Sequence, residues 1–246
     1  MSKEIGQNTF FGGKMFHCFE NSNGFSDGDD AQLYIKKLKE GALEALSKGN
    51  WFVKIDGSNG LLIFNEESKQ YDLYRRYDDK KDKFKGEVQP GYINLPPGKN
   101  PDVYESASAS HKYYQQFIPR PSLDTKGKEP AMWRELYSQI DKAQAMGKLV
   151  NKSYSIELVG KNFSGTPGVP TIGIALHCDQ VMEKPPLLPN TEEEWYLYFY
   201  ELFEKMCAEG IIVEYQGLYW KIRADLFRKD SAWRLGKELA IPPNLI

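Results

Sequence analysis

Residues Trp51–Phe64 read WFVKIDGSNGLLIF. Two apolar runs, WFVKI and LLIFN, flank DGSNG. Asp, Gly, Ser and Asn are turn residues, and the two glycines can supply positive φ, so the stretch predicts a β-hairpin. Side chains alternate along a strand, which puts Phe52, Lys54 and Asp56 on one face and Trp51, Val53 and Ile55 on the other. Lys54 is the anomaly, because it stands inside the strand between Val53 and Ile55. It either snorkels its ammonium to water or points into a pocket beside a carboxylate.

The chain around this stretch has 246 residues, enough for one large domain or two small ones with a sizeable core. Hydrophobic residues make up 41% and charged residues 27%, the balance of an ordinary globular protein. The formal net charge is −2, so any nucleic-acid contact must come from a local basic patch and not from bulk charge. The three cysteines, Cys18, Cys178 and Cys207, are odd in number and widely spaced. That argues against a disulfide framework or zinc site and for a reducing compartment. MSKEIGQNTFFGGKMFHCF lacks a signal-peptide core, and no run of about 18 apolar residues occurs. A soluble, cytoplasmic protein with no membrane contact is expected.

Three segments predict helices: 29–50, with Asp30 as N-cap and Gly49 as stop; 129–148, with Pro130 in the first turn; and 191–210, where Thr191 and Glu194 form a capping box. A weaker helix is expected over 231–240. Strand-like runs lie between them: WFVKI, LLIFN, YDLYRRY, YSIELVG, TIGIALHCDQ, IIVEY and LYWKIRA. The expected fold is α+β, with antiparallel sheets forming a nucleotide-binding cleft and helices flanking it. The whole of 1–246 reads as one domain. The Pro-, Gly-, Ser- and Tyr-rich segment 86–128 reads as long surface loops or an insertion, and 86–150 resists placement.

In EGIIVEYQGLYWKIR the turn residues set the register. A three-residue loop, Tyr215-Gln216-Gly217, with Gly217 left-handed, is preferred to a two-residue turn, the alternative being a bulge at Gly210 with a shorter turn. It places Glu209, Ile211, Val213, Tyr219, Lys221 and Arg223 on one face. One acid and two bases then converge at the open end of the ribbon.

Four pieces now stand in order: Lys54-x-Asp56-Gly57, Glu157 in YSIELVG, Glu209-Gly210 with Val213 behind it, and Lys221-x-Arg223. The set resembles the covalent nucleotidyltransferase superfamily of ATP-dependent DNA ligases, RNA ligases and mRNA capping enzymes. RRYDDKKDK, ELVGKNFSGTPG and EGIIV paired with LYWKIR resemble, more narrowly, the small 5′-to-3′ RNA ligases. There a Glu-Leu-Ile-Gly-like strand precedes an Asn and a Gly-Pro-rich loop, here Glu157–Gly160, Asn162 and Thr166-Pro167-Gly168. The match is scattered between about Phe52 and Phe227. Three features depart from the superfamily. Asn59 stands where DNA ligases carry an arginine. The stretch after Lys221 is too short for the OB-fold of DNA ligases and capping enzymes. The last motif ends in Arg223 where lysine is usual, although arginine still forks onto phosphate oxygens.

The resemblance implies an adenylyltransferase (ligase) domain that joins 5′-phosphate and 3′-hydroxyl RNA ends, with ATP and Mg²⁺ or Mn²⁺ as cofactors. Lys54 is then the nucleophile that becomes a lysine–AMP adduct. The residue types suit that chemistry. A lysine attacks phosphorus only as the neutral amine, and an ordinary lysine pKa of about 10.4 leaves almost none of it at pH 7. Lys221 and Arg223 supply cations that lower that value and stabilise phosphate charge. Asp56, Glu157 and Glu209 are the candidate metal carboxylates. Asp56, Gly57, Glu157 and Lys221 are candidate nucleotide contacts, with Glu157 on the ribose or a metal-bound water. Arg75 or Arg76 would touch phosphates or the RNA end. Two other classes stay open: a nucleotidyltransferase with another acceptor such as DNA, and a non-catalytic nucleotide- or RNA-binding module.

Several features have plainer readings. Taken singly, Glu209 reads as the end of the helix before it, Lys221 and Arg223 as a solvated strand face, and the Lys54 of KxDG as a snorkelling strand lysine. RRYDDKKDK is a mixed-charge run of the kind that forms solvated loops. YYQQF with Arg120 is either a base-stacking patch or a packed loop. His177-Cys178-Asp179 reads as structural, for want of a nearby metal partner.

Overall fold

The hairpin expected at 51–64 does not form. A computed structural model describes residues 15–22, 33–79, 87–94, 112–160, 162–163, 172–233, 235 and 244–246. In it WFVKI and LLIFN belong to different sheets. The described elements are β1 (Phe16–His17), β2 (Phe19–Asn21), β3 (Tyr34–Leu38), α1 (Ala42–Lys48), β4 (Asn50–Lys54), β5 (Ser58–Asn65), β6 (Gln70–Asp79), β7 (Tyr92–Asn94) and β8 (Lys112–Ile118). They continue with α2 (Lys128–Ala145), β9 (Ser153–Val159), β10 (Gly173–Leu176), β11 (Val181–Met182), α3 (Glu192–Lys205), β12 (Gly210–Tyr215), β13 (Leu218–Arg223) and α4 (Ala224–Phe227).

Two main sheets result. A five-stranded sheet runs β1-β13-β12-β4-β11, and a six-stranded sheet runs β10-β9-β5-β6-β8-β7; β2 and β3 form a separate pair. Among the described residues only the short β1–β13 contact is parallel; the other ladders are antiparallel. The α+β expectation therefore stands for the described residues. None of their helices is long and apolar enough to cross a membrane.

Gly57 explains the crossover. It has no positive φ, so the conformational freedom assumed for a hairpin turn is not what it supplies. Its lack of a Cβ matters instead: a methyl there would lie 2.5 Å from the Leu158 carbonyl and 3.2 Å from Glu157 Oε2. The chain leaves β4, passes flush against β9 and enters the second sheet as β5. Leu61 and Leu62, on opposite faces of β5, are both buried, as expected of a strand covered on two sides.

Each sheet has its own helix. Trp195, Phe199 and Phe203 recur every four residues on α3 and pack on Trp51, Val53, Ile211, Val213 and Ile222 of the five-stranded sheet. Each such aromatic contributes roughly 1.5–3 kcal/mol by burial. The helix starts at the expected capping box, with Thr191 Oγ1 accepting from the Glu194 amide and the Glu194 carboxylate accepting from the Thr191 amide. Helix α2 lays Trp133, Leu136, Tyr137 and Ile140 on Leu62, Leu73, Ile118 and Ile156 of the six-stranded sheet.

Other expectations need correction. The helix over 29–50 reduces to α1, because Tyr34–Leu38 pairs with β2 and Gly41, at φ 79°, breaks the chain between them. Asp30 lies outside the described residues. Part of 86–128 is sheet: β7 and β8 extend the six-stranded sheet, with Tyr114, Gln115 and Ile118 buried. The helix over 231–240 falls mostly outside the described residues. The last hairpin turns through two residues, not three. Tyr215 pairs with Leu218, and Gln216 and Gly217 take φ 51° and 78°, the left-handed pair of a type I′ turn. Its twist matches the strands, and that outweighs the strain of a non-glycine residue at Gln216.

Candidate active site

The corrected register builds the site. Gly210 is paired with Lys54 on one side and Arg223 on the other. Laterally paired residues share a face, so Lys54 and Arg223 rise on either side of a position without a side chain. A Cβ at Gly210 would lie 1.9 Å from the Ile222 carbonyl oxygen, which excludes any other residue from this packing. The next row on that face is Phe52, Ile212 and Lys221, with His17 of β1 beyond. Lys221 thus sits one row from Arg223, as the two-residue spacing requires.

Glu209 stands just before β12, outside the ladder, so strand alternation does not dictate its direction. Its carboxylate is hydrogen-bonded and ion-paired to Lys54 Nζ, and its other oxygen lies 3.9 Å from Arg223 Nε. The expected meeting of Glu209 with Arg223 occurs, although the predicted register does not. Lys54 is only 15% exposed along its side chain and Glu209 10%. The open choice for Lys54 thus falls to the pocket beside a carboxylate. Arg223 is in turn forked onto buried Asp225, at 3.0 and 2.7 Å. Burial works against the guanidinium charge, but the Asp225 and Glu209 carboxylates outweigh it and hold Arg223 above the usual arginine range.

Asp56, at the crossover, completes the cluster. Burial, then repulsion from Glu209, pushes its pKa up to about 7; Lys54 opposes the rise, Glu157 adds to it and Arg223 opposes it. Three carboxylates and two cations therefore act on one another here, drawn from β4, β9, β12 and β13 or the residues beside them. Glu157 enters from the six-stranded sheet. Its Oε1 lies 2.9 Å from His177 Nε2, and its Oε2 is buried without a hydrogen-bond partner among the described residues.

Arg75 and Arg76 lie apart from this cluster, on β6. They line a cleft of about 620 Å³ that begins at Gly57 and Ser58 and also takes in Lys128 and Phe163. Arg75 is held by Gln116 at 3.1 Å and lies 5.8 Å from the Trp133 ring. YYQQF proves to be β8, and Arg120 is forked onto Asp141 at 2.8 Å and stacked 4.2 Å from Tyr137, which is the packed reading. Lys80–Lys83 of the mixed-charge run, and Thr166-Pro167-Gly168, lie outside the described residues.

Two residues of the site carry almost no signal in the sequence. Asp225 is legible there only as a charge two positions after Arg223. His177 reads as merely structural because its partners, Ser155 and Glu157, are about twenty positions away along the chain. No protein-family model matches the chain, and comparison with curated proteins finds no match.

Among the described residues no group of three or more His, Cys, Asp or Glu side chains is gathered to hold a metal ion. Asp56, Glu157 and Glu209 do not form a ready-made cage. Magnesium bound with a nucleotide needs only one or two carboxylates, since phosphates and waters fill the rest of its shell. The orphan oxygen of Glu157 and the crowded carboxylate of Asp56 are the two groups a divalent cation would relieve.

Proposed function

We propose that the chain is an ATP-dependent RNA ligase working through a lysine–AMP adduct on Lys54. The observation that carries this reading is the setting of Lys54: a shielded amine at a strand end, touching Glu209 and flanked by Asp56 and Arg223. A merely snorkelling lysine is not shielded against a carboxylate 155 positions away along the chain.

The chemistry runs in three displacements. Lys54 must first shed a proton. Glu209 is hydrogen-bonded to the amine, and Asp56 takes up protons near pH 7, so both are suited to receive it. Nζ then forms a bond to the α-phosphorus of ATP, the bond to the oxygen bridging to the β-phosphate breaks, and pyrophosphate leaves. Arg223, fixed by Asp225, and Lys221 offer positive charge to the phosphoryl oxygens. In the second step an oxygen of an RNA 5′-phosphate attacks the adduct phosphorus, the N–P bond breaks and Lys54 recovers its proton. In the third, the 3′-hydroxyl of another end attacks the activated 5′-phosphorus, AMP departs and a phosphodiester forms. Mg²⁺ held through Asp56 or Glu157 would neutralise phosphate charge. The cleft with Arg75, Arg76 and Lys128 is the local basic patch this acidic chain offers a polynucleotide end.

The test is direct. Wild-type protein incubated with α-labelled ATP and Mg²⁺ should carry label through a denaturing gel, and Lys54→Ala should carry none. Adding 5′-phosphorylated RNA should discharge the label into joined product. Discharge by nicked DNA alone would move the acceptor to DNA; no label on wild type would leave only a binding module.

A further inference from the structure

A chain of polar groups lies behind the site. His177 follows β10 and continues its ladder, its amide donating to the Ser155 carbonyl at 3.1 Å. That places the imidazole on the face of β9 that carries Ser155 and Glu157, consistent with the pairing of Ala175 with Glu157. Nδ1 lies 2.7 Å from Ser155 Oγ, and Nε2 lies 2.9 Å from Glu157 Oε1. Ser155, Glu157 and His177 are 0%, 8% and 6% exposed. Toward an ionised carboxylate, which only accepts, the tautomer that serves this bond is the one with the proton on Nε2.

One carboxylate oxygen is thus tied down from behind. The other, Oε2, is buried with no hydrogen-bond partner among the described residues and lies 3.2 Å from where a Cβ on Gly57 would stand. Leaving such an oxygen dry and unbonded costs free energy. The cost makes sense if the oxygen faces a place that something else fills.

We propose that His177, braced by Ser155, is a positioning residue that pins Oε1 of Glu157 so that Oε2 is presented, at the Asp56–Gly57 crossover, to a hydrogen-bond donor or divalent cation arriving with the nucleotide. This rests on the ligase reading. His177 does not touch the reacting atoms; it acts through Glu157.

The experiment measures the rate of Lys54–AMP formation against ATP concentration for wild type, His177→Leu, His177→Gln, Glu157→Gln and the double variant H177L/E157Q. Thermal unfolding is recorded for each. His177→Leu should lower kcat/KM for ATP by about 10–100-fold, the usual effect of losing a supporting partner. His177→Gln, which keeps a donor toward Glu157, should recover most of the loss. In the Glu157→Gln background, His177→Leu should cost less than about twofold, because residues that act as one unit are non-additive. If His177→Leu does not fold, Ser155→Ala keeps the imidazole but removes its brace and should show a smaller loss with the same non-additivity. Wild-type rates in the folded variant, absence of rescue by glutamine, or losses that multiply in the double variant would each overturn the proposal and leave the ligase intact. Absence of any adduct on wild type would overturn both.

Discussion

Replacing Asp56 by asparagine should make the protein more stable near and above neutral pH, and only there. Folded Asp56 binds its proton more tightly than the unfolded residue, with a pKa of about 7 against an ordinary value of 3.8. Below about pH 4 both states are protonated and nothing is lost. Between about 4 and 7 the folded state holds more protons than the unfolded one, so stability falls as pH rises, and above 7 the full cost is in place. At 1.36 kcal/mol per pKa unit the rise corresponds to about 4 kcal/mol. Solvent screening of a partly exposed group reduces that to about 2 kcal/mol. Asp56→Asn removes the charge that Glu209 and Glu157 repel. Urea unfolding followed by tryptophan fluorescence should show it about 2 kcal/mol more stable than wild type at about pH 8. The two should be nearly equal at about pH 4. For a chain of this length the pH 8 difference corresponds to a melting shift of about 4–8 °C. A gain of the same size at both pH values, or a loss at pH 8, would refute the claim that burying the Asp56 charge beside Glu209 is what strains the site. On the ligase reading the same variant should form the Lys54–AMP adduct more slowly than wild type, the usual trade of stability for chemistry.

Two further outcomes follow from the same geometry. Gly210→Ala should cost about 3 kcal/mol or more in denaturant unfolding, because its methyl meets a β13 backbone carbonyl that cannot rotate away; wild-type stability would show that the β12–β13 register is wrong. Glu209→Gln leaves Lys54 beside a neutral amide, at a cost of about 2–3 kcal/mol, below that of a fully orphaned buried charge because Asp56 remains. It should also move the Asp56 carboxyl titration, followed by carbon NMR, below 7, and an unmoved midpoint would show that Glu209 does not act on Asp56.

The residue types of the site, and their order along the chain, are legible in the amino acids alone. The resemblance carried by four motifs in order, and no one of them alone, singles out Lys54, Asp56, Glu157, Glu209 and Arg223, and strand alternation correctly sets Lys54 opposite Trp51 and Val53. Helices α2 and α3 are legible for the same reason: a capping box and an apolar stripe are local signals that local physics honours. Which strand lies beside which is a different matter, and the tertiary structure decides it. Gly57 looks the same in sequence whether it supplies positive φ to a hairpin or empty space to a crossover, and only the nearness of the Leu158 carbonyl distinguishes them. The turn at Gln216-Gly217 admits two registers, and the packing of Ile211 and Val213 beside Ile222 and Trp220 in the core beneath α3 belongs to the one that forms. The contact of Glu209 with Lys54, and of His177 with Glu157, spans 155 and 20 positions of sequence. Such contacts are decided by how two sheets share a core, because burial is summed over the whole molecule and not along the chain.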